Sequence, residues 1–190
     1  MAYITYTTKA FICGSKMSNT SDKSFLLFTK DAGMLYATAR SVREERSRQR
    51  YALQDFSLIK VSLVRGKSGW RIGSVENEMN VFTASPTREV RGCMLRVAKL
   101  LRQFVHGEDP QSELYADVEQ VVRNLLAETT LNAHQVSDIF TLRLLYKLGY
   151  VAVDTSFERL INEQDWCTSV SALPKSAEQA IERALHASHL

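Results

Sequence analysis

Five arginines lie close together in one segment of the chain, residues 40–50. They are Arg40, Arg43, Arg46, Arg48 and Arg50. A guanidinium group is planar, permanently charged and rich in N–H donors, which suits it to phosphate oxygens. The only apolar residue of the segment is Val42. We therefore expect the segment to bury nothing and to offer its charge to a partner.

A second group of cations follows about 20 residues later, around a glycine-containing turn. It consists of Arg65, Lys67 and Arg71. Three aromatic residues are interleaved with the two groups, namely Tyr36, Tyr51 and Trp70. Aromatic rings can stack on nucleobases, at roughly 1–3 kcal/mol per base, although a tyrosine or tryptophan in a strand can equally be core. The eight cations predict a nucleic-acid interface. A solvated linker, or a basic loop that binds an acidic protein, remains an alternative for residues 40–50.

The charge distribution also distinguishes the N-terminal part of the chain, which contains both groups of cations, from the rest. Residues 1–71 contain 13 Lys and Arg against 5 Asp and Glu, a net charge of +8, whereas residues 72–190 contain 11 against 16, a net charge of −5. This polarity favours a polyanion-binding module followed by a module with another role. The sequence contains no apolar run long enough to span a membrane and no signal-peptide pattern, so we expect a cytoplasmic protein.

Signatures of catalysis and metal binding are absent from the sequence. It contains no H-E-x-x-H, G-x-S-x-G, G-K-[ST] or G-x-G-x-x-G motif. Its three cysteines, Cys13, Cys93 and Cys167, are far apart and form no C-x-x-C pair. We therefore predict no catalytic residue, no metal and no cofactor. An enzyme of an unrecognised type is the third hypothesis, after a nucleic-acid binder and an adaptor.

The first 83 residues predict strands. Runs of β-branched and aromatic residues, separated by polar or glycine-containing turns, indicate strands at 3–15, 25–29, 34–39 and 56–64, and an extended region from 70 to about 82. No helix is predicted among them. Five strands in about 80 residues favour a small closed antiparallel barrel, and a basic face on such a barrel is typical of an OB-fold.

From residue 84 onward the apolar spacing becomes helical. Helices are predicted from 86 to about 105, from 111 to 128, from 132 to 148 and from 176 to 187, with a helical turn at 157–161. The fold class is thus α+β, with an N-terminal five-stranded OB-fold barrel at 1–83 followed by an all-α helical bundle at 84–190.

Several stretches resemble the RecO family of recombination mediators. SDKSFLLFTKDAGMLYATARSVR (21–43) and RYALQDFSLIKVSLVRGKSGWRI (50–72) are similar to that family's S-D-[KR] strand, glycine hairpin, basic loop, L-Q-P-F step and R-G-x-x-x-W hairpin, in this order. IFTLRLLYKLGY (139–150) is similar to its F-x-L-R-L-L-x-x-x-G-Y segment.

The resemblance implies an OB-fold that binds single- and double-stranded DNA and anneals complementary strands. It also implies a helical domain that docks the single-stranded-DNA-binding protein, works with RecR and assists RecA loading, in the bacterial cytoplasm at the nucleoid. The chain departs from the family at three places. Asp55 replaces the proline of the L-Q-P-F step, Ser41 replaces the glycine of the basic loop, and the zinc-binding cysteines are missing after Tyr150. Since only Cys167 follows Tyr150, this departure from the family's cysteine cluster predicts no zinc here.

Overall fold

The computed structural model describes residues 5–84, 87–127, 131–167 and 171–187. Contacts group the chain into two compact units, one of residues 1–85 and 98–116 and the other of residues 86–97 and 117–190. The proposed domain division between residues 83 and 84 remains a prediction. Tyr3, Pro86 and Glu128, which we assigned to a strand or to helices, lie outside the described residues.

A closed five-stranded barrel forms the first unit's main body. Its strands are β1 (Thr5–Met17), β2 (Lys23–Thr29), β3 (Gly33–Ala39), β4 (Ser57–Gly66) and β5 (Gly69–Asn80), in the order β1-β2-β3-β5-β4. The long β1 pairs with β2 through its second half and with β4 through its first half, with a register shift between Ile12 and Gly14. This is the topology of an OB-fold, so the predicted fold class is confirmed.

The pairing that closes the barrel differs from the all-antiparallel expectation. β3 and β5 run parallel, with Ala37 opposite Trp70 and Thr38 opposite Arg71. β3 and β5 are separated in the chain by β4 and the arginine segment, so they can start at the same end of the barrel. Local alternation of apolar residues does not carry this information.

Two short helices interrupt the region predicted to have none. α1 (Gln49–Ala52) follows the arginine segment, and α2 (Val81–Ala84) follows β5. The extended region predicted to end near Phe82 therefore ends at Asn80. The side-chain oxygen of Asn80 accepts a hydrogen bond from the backbone N–H of Thr83 at 3.0 Å, which favours a helical turn there.

Beyond residue 87, the described part of the chain forms five helices. They are α3 (Arg88–Phe104), α4 (Ser112–Ala127), α5 (Ala133–Lys147), α6 (Glu158–Asn162) and α7 (Lys175–Ala187). Asn132 caps α5 by accepting hydrogen bonds from the N–H groups of His134 and Gln135. α5 is buried on most sides. None of the described helices is both long and apolar enough to span a membrane.

The three cysteines are buried and form no disulfide, as expected for structural residues of a reduced protein. Burial raises the pKa of Cys13 to about 12, and it also raises the pKa of Cys93 to about 12. Both thiols therefore stay protonated at neutral pH, which makes them poor nucleophiles.

Candidate nucleic-acid interface

The arginine segment, residues 40–50, closes one end of the barrel. Val42 is only 3% exposed and packs in the barrel core together with Leu53. The expectation that the segment buries nothing was therefore wrong, because one apolar residue is enough to fasten it. Its arginines nevertheless lie at the surface, with Arg50 half-buried and the others exposed.

Polar contacts hold both flanks of the segment. The carboxylate of Asp22 accepts the N–H of Ser41 at 2.8 Å, and Arg43 donates to the carbonyl of Thr20 at 2.8 Å. At the other flank the side chain of Gln49 donates to the carbonyl of Gly73 at 2.9 Å. The N–H of Ser41 is the main reason that the pKa of Asp22 lies below its ordinary value. The segment is thus a fixed part of the barrel.

Ser41 adopts a left-handed backbone conformation, with φ of 50°. A side chain with a Cβ is strained there, which gives a physical reason for the family's glycine at this position. We expect Ser41→Gly to raise the free energy of unfolding by about 0.5–1 kcal/mol in urea denaturation. Ser47→Gly in the same segment lacks this relief and should lower it. A loss of stability in Ser41→Gly would contradict this account of the turn.

A first hollow lies between the segment and the start of β5. Its volume is about 440 Å³. It is lined by Arg40, Ser41, Glu44, Arg46, Ser47, Gln49, Val64, Arg71, Ile72 and Gly73. Three guanidinium groups therefore border one concave surface with a single carboxylate among them. Such a site is suited to phosphate oxygens.

A second hollow lies between the segment and β2, with a volume of about 470 Å³. It is lined by Lys23, Phe25, Val42, Arg43, Arg50, Tyr51, Leu53 and Gln54. Tyr51 is 68% exposed, and the Arg50 guanidinium lies 4.8 Å from the centre of its ring and donates to its hydroxyl at 3.0 Å. This hollow combines cations with a stacking surface.

The hairpin cations occupy the opposite end of the barrel, where the β4–β5 turn lies. Arg65 forms a 2.8 Å ion pair with Glu108 and lies 5.0 Å from the centre of the Trp70 ring. The indole N–H of Trp70 donates to the same carboxylate at 3.1 Å, and the ring packs against the barrel core. Lys67 is exposed near the tip of this hairpin. The predicted cations therefore form two groups, and Arg71 belongs with the arginine segment.

Glu108 competes with any anion for Arg65. Glu108→Gln removes this charge and leaves an amide that can still accept the Trp70 N–H. We expect oligonucleotide affinity at low salt to rise roughly two- to fivefold, since an exposed ion pair contributes less than about 1 kcal/mol. Fluorescence anisotropy measures this change. Glu113→Gln, which removes an exposed carboxylate of α4, is the control, and an equal rise in both variants would exclude a specific role for Glu108.

Sequence reasoning missed Lys16 and Lys23. Lys23 lines the second hollow, and the ammonium of Lys16 lies 4.3 Å from the centre of the Tyr36 ring on the outer surface of the barrel. Both belong to strands β1 and β2, which flank the polar loop at 18–22. The position of these two lysines at strand ends beside a polar loop could have predicted their place at the surface. The prediction considered only the denser groups of cations.

Metal ligation has no geometric support in the described part of the chain. Nowhere among residues 5–84, 87–127, 131–167 and 171–187 do three or more His, Cys, Asp or Glu side chains gather as a metal site would require.

The fold and the site together define an OB-fold protein with a basic interface and a helical C-terminal half. The family model for the recombination protein O N terminal matches residues 1–77, and that for the recombination protein O C terminal matches residues 88–155. The chain belongs to the RecO family, as its motifs predicted. It is 24% identical over 149 residues to the DNA repair protein RecO of Caldanaerobacter subterraneus subsp. tengcongensis. The alignment covers 77% of this chain and 59% of that relative.

Proposed function

We propose that this protein is a DNA-binding recombination mediator in DNA repair. In this role it binds single- and double-stranded DNA, anneals complementary single strands and assists RecA loading together with RecR and the single-stranded-DNA-binding protein. Its site of action is the bacterial cytoplasm, at the nucleoid. The observation that carries the proposal is the arginine segment, which is fixed to the barrel end by Val42 and lines two basic hollows.

The physical mechanism needs no bond to be made or broken. Two DNA strands repel each other through their phosphates, and this repulsion is only partly screened at physiological salt. Guanidinium groups that neutralise phosphates on both strands lower the repulsion and release condensed counterions. Strand pairing then proceeds faster, and the protein acts as a binding surface with no catalytic residue.

Replacing all five arginines of the segment with glutamine tests the proposal. We expect single-strand affinity at about 0.1 M salt to fall on the order of 10²–10³-fold, because each phosphate contact on a single strand contributes about 0.7 to the salt slope. The annealing rate of complementary oligonucleotides should fall at least about tenfold with it. The same comparison on strands coated with the cognate single-stranded-DNA-binding protein, with and without RecR, tests the partner part.

The matched control removes five exposed cations elsewhere. They are Lys60, Lys99, Arg159, Lys175 and Arg183. The control has the same net charge as the test variant, so a non-specific charge effect would weaken both alike. Unchanged annealing by a folded five-glutamine variant would contradict the proposal. Tight, salt-dependent binding to heparin or an acidic protein without annealing would favour the adaptor hypothesis.

A further inference from the structure

We propose that the arginine segment separates two strand-binding grooves, so that one copy of the chain holds two DNA strands side by side. The inference rests on the proposed function and adds where each strand lies. One strand occupies the hollow beside β5, and the second occupies the hollow beside β2.

The lining residues divide cleanly between the two hollows. From the segment itself, Arg40 and Arg46 border the first hollow, whereas Arg43 and Arg50 border the second. Among the described residues, none lines both hollows. The remaining walls come from different strands, with Arg71 of β5 on one side and Lys23 of β2 on the other. β3 lies between these two strands in the barrel and leads directly into the segment.

The segment is fixed firmly enough to act as a divider. Its apolar anchor, Val42, is buried in the barrel core. The hydrogen bond from Ser41 to Asp22 ties it on the β2 side, and that from Gln49 to Gly73 ties it on the β5 side. A wall held near both of its ends keeps the two hollows apart when strands bind.

The two hollows differ in chemistry. The first presents guanidinium groups, and no aromatic side chain lines it among the residues that the structure describes. It is therefore suited to the sugar-phosphate backbone. The second contains the exposed Tyr51 ring, and Lys23, Tyr51 and Gln54 also line an adjoining hollow of about 620 Å³. That hollow contains the rings of Phe56 and Phe82, 5.4 Å apart. The second groove is therefore suited to stacked bases.

This arrangement predicts what each groove does in annealing. A strand gripped by its backbone in the first groove keeps its bases free to pair. A second strand, held by stacking and a few cations, can be released as its bases transfer to the partner strand. The shared cationic wall between them neutralises phosphates of both.

The test uses two non-complementary oligonucleotides, one dT12 labelled with a donor dye and one with an acceptor dye. Energy transfer between them reports two strands on one protein without base pairing. We expect transfer with the unmodified protein. We expect it to be lost in Arg40→Gln/Arg46→Gln and in Lys23→Gln/Arg50→Gln, while each variant still binds a single dT12 within about tenfold of the original affinity.

Three controls make the result specific. The double variant Lys60→Gln/Lys99→Gln removes two exposed cations from the same unit and should retain transfer. Tyr51→Ala changes one exposed side chain of the second groove without altering charge and should reduce transfer more than single-strand binding. Mixing the two groove variants should not restore transfer, since both grooves must belong to one chain.

Other outcomes would overturn the inference. Parallel loss of single-strand binding and transfer in both groove variants would indicate one continuous site, and restoration by mixing would indicate strands held by separate copies. Retention of transfer in both groove variants would place the strands elsewhere. In each of these results the unmodified protein still binds DNA, so the proposed function stands. An unmodified protein that binds no oligonucleotide would instead overturn the proposed function.

Discussion

Replacing Arg143 with methionine is expected to lower the free energy of unfolding by about 3–5 kcal/mol, because it leaves a buried carboxylate short of its main partner. Arg143 is 5% exposed in α5 and forms a 3.0 Å ion pair with Asp117 in α4. Asp117 also accepts the indole N–H of Trp166 at 3.1 Å and pairs with Lys147 at 2.8 Å. Lys147 alone cannot replace the geometry of the guanidinium group.

The same guanidinium group also satisfies the backbone at the end of α6. It donates to the carbonyls of Leu160 at 2.9 Å and Glu163 at 3.2 Å, and to the carbonyl of Ile161. Methionine fills similar volume but donates nothing, so these acceptors lose their partner.

Urea denaturation measures the effect, with Arg123→Met as the matched control. Arg123 forms an exposed ion pair with Glu119 one helical turn away, which contributes at most about 0.5 kcal/mol. A loss of less than about 1 kcal/mol in Arg143→Met would show that the buried pair is not what holds α4, α5 and α6 together.

Gly33→Ala is the second substitution with a large expected effect, a loss of about 3 kcal/mol. Gly33 has φ of 62°, where a Cβ is strained by roughly 1–2 kcal/mol. A Cβ there would lie 2.7 Å from the carbonyl oxygen of Gly107 and 2.8 Å from the backbone nitrogen of Asp109, and closer still to the Asp109 carbonyl. These backbone atoms must move, which breaks the 2.9 Å hydrogen bond from the Met34 N–H to the Gly107 carbonyl.

Gly69→Ala is the control that separates the cost of backbone strain from the cost of steric overlap. Gly69 also has a positive φ, 105°, but nothing lies within 4 Å of its added Cβ. We expect Gly69→Ala to lower the free energy of unfolding only by the cost of placing a Cβ at a positive φ. Thermal and urea denaturation measure this change. Equal losses in the two variants would exclude the contact between residue 33 and the 107–109 segment as the cause.

Local sequence patterns predicted most strands and helices, because apolar residues recur with a different spacing in each kind of element. The alternation of Ile59, Val61 and Leu63 with polar residues specifies β4, and Asn132 marks the start of α5. The confirmed family followed from the order of several weak motifs. The glycine at position 33 was recognised as a turn residue, but the backbone that approaches it is more than 70 residues away in the chain.

Interactions between distant residues could not be predicted in the same way. In the sequence, Arg143 is one residue of a helical motif. Only the fold shows that it forms a buried ion pair with Asp117 in the second unit. The sequence predicted Trp70 as a partner of the basic residues because it is close to them in the chain. In the structure its indole N–H donates a hydrogen bond to Glu108. Val42 is the one apolar residue of its segment, which predicted no burial, yet it lies buried at the end of the barrel.

The salt dependence of single-strand binding tests the central claim most directly. The claim is that the guanidinium groups of residues 40–50 contact DNA phosphates. We predict that replacing all five with glutamine lowers the magnitude of the slope of log affinity against log salt by roughly 3.5, about 0.7 for each contact removed. The matched control variant should keep the original slope. An unchanged slope in the folded five-glutamine variant would contradict the claim.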